Sequence, residues 1–245
     1  MPNATAGTYR LALAALPRQF WDDYLTTNSG LPGPRANLEL IQVAADLGTP
    51  AQFKRWITLP DDYLPVCGAV GLGRLLAEGD RTVLPTLRTL ANDGRWRLRE
   101  GVAMALQRWG DADMESLVVV MTTWTAGTWL EQRAAAAALC EPRLLKDNTF
   151  AARRTLQLLD QMTRQLSQAP AAARKDEAFK TLRQGLAYCW SVAAAALPAE
   201  GLPALEAWLA QPQLDPDVSW LLQQNLQKHR LARLDPAWVQ RWLKK

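Results

Sequence analysis

From Gly79 to Leu139 the chain sets out one short plan twice, and this repetition constrains the fold more than any other feature. Gly79-Asp80 closes one helical pattern and opens the next, and Gly110-Asp111 does the same 31 residues later. Gly94-Arg95-Trp96 and Gly127-Thr128-Trp129 then begin the following helices, offset by 33 residues. Beyond the tryptophans the same apolar positions recur: Val102 with Ala135, Ala103 with Ala136, Ala105 with Ala138, Leu106 with Leu139. Each unit therefore predicts a helix, a short turn and a second helix. The first helices run from Arg81 to Leu90 and from Met114 to Trp124; the second run from Arg95 to Trp109 and from Trp129 to Leu139. A helical hairpin of this size cannot cover its own apolar face, so neighbours must stack into a superhelix. Gly101, Ala103, Ala105 and Ala134 to Ala138 are small enough to let the second helices lie close to their neighbours.

The rest of the chain reads the same way. Alanine and leucine recur at three- and four-residue spacing, and no alternating β-branched run lies between turn residues. Pro17, Pro34, Pro50, Pro60, Pro142, Pro198, Pro203, Pro216 and Pro236 are expected at element edges, where the first helical turn needs no backbone donor. The fold class is all-α, about a dozen helices by capping and periodicity. Further hairpins are expected at Asn37 to Leu47 with Pro50 to Ile57, and at Phe150 to Leu166 with Phe179 to Leu197. The segment from Ser167 to Lys175 looks most like a linker but is too short to separate independent bodies. One domain over 1–245 follows, with caps at 1–34 and 201–245 and hairpins over 35–200. Met1 to Gly7 carries no targeting pattern, and no stretch approaches the roughly 20 apolar residues of a membrane span. A cytoplasmic protein is expected.

The segment Asn92-Asp93-Gly94 followed by Trp96-Arg97-Leu98-Arg99-Glu100-Gly101-Val102-Ala103-Met104-Ala105-Leu106 resembles a HEAT-type repeat. In that family a polar turn precedes a helix opening on aromatic-x-aliphatic-Arg and continuing rich in alanine. The resemblance is clearest over 64–145 and implies a right-handed α-solenoid of stacked antiparallel hairpins. It implies little about activity, because such arrays serve many functions. On one branch it goes further. Trp96 to Arg108 is similar to a helix of the HEAT-like alkylpurine DNA glycosylases in Trp96, Leu98, Val102 and Leu106. Glu100 stands where that family has lysine, and Met104 where it has tryptophan. In that family an aspartate stabilises the cationic sugar as the base leaves. Asp113, one turn beyond Trp109, has a suggestive spacing, but the reading from the residues alone makes it a helix cap.

Charge is placed unevenly. The net charge is +4; residues 1–120 hold 12 basic and 13 acidic side chains, and residues 121–245 hold 16 and 11. Arg95, Arg97 and Arg99, and Arg133 in the next unit, stand at the starts of second helices, which line the concave face in arrays of this type. Arg143, Lys146, Arg153, Arg154, Arg174, Lys175, Lys180 and Arg183 follow. Such a series could track a phosphate backbone. The favoured reading is that Arg99 and Arg133 form inter-repeat ion pairs, for example with Asp93, Glu100 or Glu131. A charge of +4 is modest for a dedicated nucleic-acid binder.

Eleven tryptophans, nearly one per helix, read as core anchors wedged between helices. Trp124 and Trp129 bracket the loop from Thr125 to Thr128 and could instead form an exposed aromatic patch. Gly68, Gly71 and Gly73 read as close helix contacts rather than a dinucleotide loop. Cys67, Cys140 and Cys189 are too scattered for a disulfide framework or a zinc cluster, and Cys189 reads as an inert core thiol. The single histidine, His229, lies in a basic triplet read as a solvated helix end, and argues against histidine-based catalysis or metal sites. The tail from Arg233 to Lys245 reads as an amphipathic helix docking on the last hairpin. No cofactor, metal or catalytic residue is expected. The expected function is a non-enzymatic scaffold binding a macromolecule, first a protein and second a nucleic acid. Its expected binding residues are Arg95, Trp96, Arg99, Trp129, Arg133, Arg153 and Arg154.

Overall fold

A computed structural model describes residues 5–243; Met1 to Ala4, Lys244 and Lys245, the ends of the expected caps, lie outside the described residues. Within them the chain is all-α, with sixteen α-helices and no strand. It divides into two compact units, 1–112 and 113–245.

The first unit holds α1 (Ala6–Ala15), α2 (Trp21–Thr27), α3 (Leu38–Leu47), α4 (Pro50–Trp56), α5 (Leu64–Ala77), α6 (Leu84–Leu90) and α7 (Trp96–Ala112). Helix starts follow local chemistry. Asn37 caps α3 by accepting the Leu40 N–H, and Thr49 with Gln52 forms a reciprocal capping box at α4, with Pro50 at the first helical position. Alternate helices make one row: α1 packs on α3, α3 on α5 and α5 on α7, while α4 and α6 pack beside it. The α5 helix is buried on nearly every side, and its glycines explain how. A Cβ on Gly71 would overlap the Phe53 ring, and one on Gly73 would overlap the Ala105 main chain. Close helix contact, as expected, is what these residues provide.

The second unit holds α8 (Met114–Trp124), α9 (Trp129–Leu139), α10 (Pro142–Leu145), α11 (Thr149–Ser167), α12 (Glu177–Ala196), α13 (Pro198–Leu209), α14 (Pro216–Leu226), α15 (His229–Leu234) and α16 (Pro236–Leu243). Two rows are present here: α9, α12 and α14 in one, α8, α11 and α13 in the other. Ala134, Ala135, Ala136 and Ala138 are buried, and the Cys189 thiol on α12 donates to the Ala136 carbonyl on α9 at 3.6 Å. Between α12 and α14 stands a buried amide. Asn225 accepts the Ser191 N–H at 2.8 Å and donates to the Leu186 and Leu221 carbonyls at 2.9 and 2.8 Å. The tail helix α16 packs on α14 and α15, burying Trp238 and Trp242.

Several boundaries differ from the sequence reading. Gly110 and Asp111 were expected to close the helix after Trp109 but continue α7 to Ala112; Gly79, by contrast, ends α5 with a φ of 104°. The α8 helix starts from Asp113, whose side chain accepts the Ser116 N–H at 3.0 Å, so this carboxylate is a helix cap. Pro203 falls in the second turn of α13 rather than at an edge. The basic triplet Lys228-His229-Arg230 follows the C-terminal end of α14 and leads into the six-residue α15. Eight tryptophans are buried, as core anchors should be; Trp96 and Trp220 are exposed and Trp129 is half-buried.

Candidate functional site

The α7 helix buries Leu98, Gly101, Val102, Ala105, Leu106 and Trp109, the i, i+3, i+4 stripe of an amphipathic helix. Beside that stripe, one turn apart, stand Trp96, Glu100 and Met104. They form one wall of a groove in the first unit whose volume is about 400 Å³. The opposite wall comes from the Pro34–Ile41 segment and from Val66 of α5. Trp96 is 55% exposed and Leu38 57% exposed. Two large apolar side chains held in water at one groove are unusual for a surface with no partner.

Charge frames the groove. Arg35 lines it from the loop before α3, and Arg97 from α7. The Arg97 guanidinium lies 4.6 Å from the centroid of the Trp96 ring and 3.5 Å from the Asp62 carboxylate. Stacking of this kind fixes the indole while leaving its outer face to solvent. Glu100, on the same helix face as Trp96, supplies the opposite charge.

The other expected site residues are held differently. Arg95 binds Asp93 through Nε and Nη2, both at 3.0 Å, and donates to the Leu59 carbonyl at 2.8 Å. The hydrogen bond from Arg95 is what holds the Asp93 carboxyl below its ordinary value, and Asp93 raises Arg95 in return. Arg99 donates to the carbonyls of Asp93 at 2.7 Å and Gly94 at 3.0 Å. Both arginines therefore brace the turn that starts α7. In the second unit Arg133 is half-buried on α9 with its stem beside Gly185 of α12. Arg153 grips Glu200 of α13 through Nε and Nη2, and Arg154 donates to Gln157 at 2.6 Å. Trp129 packs edge-on against Phe179 at 5.5 Å and Trp124 is buried, so these two rings join the core instead of forming a patch.

The structure thus places Trp96 in a groove, with Arg95 and Arg99 behind it as supports. Sequence reasoning missed Leu38, Arg35, Glu100 and Met104 as its companions. Glu100 and Met104 carried a signal, at i+4 and i+8 from Trp96. Leu38 and Arg35 come from a distant segment and gave none.

Among the described residues, no group of three or more His, Cys, Asp or Glu side chains is placed to hold a metal ion. No helix among them is long and apolar enough to cross a membrane. No protein-family model matches the chain, and no curated protein matches its sequence.

Proposed function

We propose that the chain is a non-enzymatic scaffold of the right-handed α-solenoid type that binds a protein partner through the Trp96 groove. The row of alternate helices in the first unit and the two rows in the second support the solenoid reading. The observation that carries the functional reading is the exposure of Trp96 and Leu38 in one groove, between Arg35 and Arg97. Tryptophan and arginine beside an apolar pocket are the residue types that dominate protein interfaces. The occupant that fits is a peptide segment inserting one bulky apolar side chain, with a carboxylate next to it for Arg35 or Arg97. Phosphate tracking along the second-helix arginines is the alternative. It is favoured less because Arg95, Arg99, Arg153 and Arg154 already donate to acceptors within the protein.

Selection of binders from a random peptide display library tests this. Enriched peptides should carry an apolar residue beside an acidic one. Trp96→Ala should weaken them about thirtyfold, the scale of an interface anchor, without lowering the melting temperature. Val119→Ala, at an exposed apolar position elsewhere, should change nothing. Peptides that bind Trp96→Ala as they bind the wild type would refute the reading. Salt-sensitive binding of duplex DNA that is lost in Arg99→Ala and Arg133→Ala, but kept in Trp96→Ala, would transfer it to nucleic acid.

A further inference from the structure

The second unit carries a cavity that the peptide groove does not use. Its volume is about 540 Å³, within the range of small-molecule sites. Its floor is made of small aliphatic side chains on α12, Val192, Ala195 and Ala196. Its walls are basic: Arg143 on α10, Lys146 immediately after it, and Arg230 in the first turn of α15. Asp147 is the acidic side chain that joins them. Three cations stand against Asp147 and against Glu141, the ion-pair partner of Arg143, so positive charge remains in excess above an apolar floor.

The wall is already organised. Arg230 donates to the Tyr188 hydroxyl at 2.6 Å, and its guanidinium lies 4.5 Å from the centroid of that ring. Tyr188 stands one turn before Val192 on α12, so the arginine is tied to the helix that forms the floor. An arginine held in this way loses little rotamer freedom on meeting an anion. On the opposite side Arg143 contacts Glu141 at 3.0 Å and is half-exposed, and Lys146 is exposed. Asp147 turns the chain sharply at the rim with a φ of 58°, a conformation that non-glycine residues adopt at a cost. That turn presents Lys146 on the cavity side of α10 before Asn148 caps α11.

We infer that this cavity binds a small phosphate monoester, its dianion meeting Arg143, Lys146 and Arg230 and its organic ring lying on Val192, Ala195 and Ala196. The dianion meets an excess of positive charge there, and a guanidinium beside an ammonium suits phosphoryl oxygens. The aliphatic floor calls for an apolar body attached to the anion.

Calorimetric titration of the full chain with phenyl phosphate, inorganic phosphate and phenol tests the assignment. Phenyl phosphate should bind with one-to-one stoichiometry and roughly tenfold tighter than inorganic phosphate, the ring adding apolar burial. Phenol should bind more weakly still. Arg143→Gln and Lys146→Gln should each weaken phenyl phosphate about tenfold, the loss of one charge-assisted contact. Ala195→Leu, which fills the floor and changes no charge, should abolish binding. Lys146→Glu, at an exposed position that leaves folding intact, provides a second negative variant should Ala195→Leu not fold. The assignment is overturned if phenyl phosphate gives no saturable binding, if it binds no tighter than inorganic phosphate, or if folded Ala195→Leu or Lys146→Glu binds it like the wild type.

Discussion

Asn225 offers the sharpest test of what holds the second unit together. Its amide is fully buried and makes three side-chain hydrogen bonds, one from the Ser191 N–H and two to the Leu186 and Leu221 carbonyls. Two of them cross from α14 to α12. At about 1 kcal/mol net for each bond, Asn225→Ala should cost about 3 kcal/mol, with a small cavity adding to it. For a unit of this size that corresponds to a fall of about 10 °C in melting temperature. Asn225→Asp makes the argument specific. It keeps the oxygen that accepts from Ser191 but sets a carboxylate oxygen against two carbonyls, buried and without a cation. At neutral pH it should be less stable than Asn225→Ala, and it should recover on acidification as the carboxyl takes up a proton and can donate again. Denaturant unfolding followed by circular dichroism at neutral and acidic pH measures both variants. A loss below about 1 kcal/mol for Asn225→Ala, or an Asp variant that matches the Ala variant at every pH, would refute the account.

Two more predictions concern the first unit. Gly73→Ala forces a methyl group into the Ala105 main chain and should destabilise by about 1–3 kcal/mol. Gly101→Ala, whose Cβ would meet the Val66 Cγ1 at 3.1 Å, should cost less, because part of the strain is offset by better helix propensity; equal losses in thermal melts would count against the close α5–α7 contact. Asp22 accepts two hydrogen bonds from Arg55, at 2.6 and 2.7 Å, and one from the Trp56 indole at 2.8 Å. The Arg55 hydrogen bond, ahead of the opposing desolvation, holds its carboxyl below the ordinary value. A depressed folded-state pKa contributes stability that is complete above the unfolded value near 4 and is lost as pH falls through the folded one. The wild type should therefore lose more stability than Asp22→Asn between neutral pH and about pH 3, and parallel curves of denaturation midpoint against pH would sink this reading.

The repeat made most of the helices legible. Met114–Trp124 and Trp129–Leu139 match the structure at both ends, because in each a polar cap and an apolar stripe agree. Where two sites shared the same residues, the reading erred. Gly79-Asp80 and Gly110-Asp111 look alike, yet Asp80 accepts the Thr82 N–H and starts a new turn, while Gly110 is buried within α7. What separated them was Asp113, two residues further on, as the true cap. At the candidate site, Trp96 was singled out but its exposure was not foreseen. Periodicity shows which residues share a helix face; it does not show which part of that face a distant segment leaves uncovered. Leu38 and Trp96 line one groove across 58 positions of sequence, a separation no local pattern encodes. The same limit hid the cavity beside α12, where Arg143 and Arg230 belong to elements far apart in the chain.

The three thiols, inconspicuous in the sequence, acquire a practical meaning from their places. Cys67 is buried in the first unit, and Cys140 and Cys189 are buried in the second. Burial, foremost, pushes both Cys67 and Cys140 above the ordinary thiol range, so neither offers a thiolate while its surroundings stay closed. A thiol-specific chromophore added during unfolding therefore acts as two clocks in one molecule. One equivalent of colour reports the opening of the first unit and two report the opening of the second. Whether the halves melt together or in succession can be timed without introducing a single mutation.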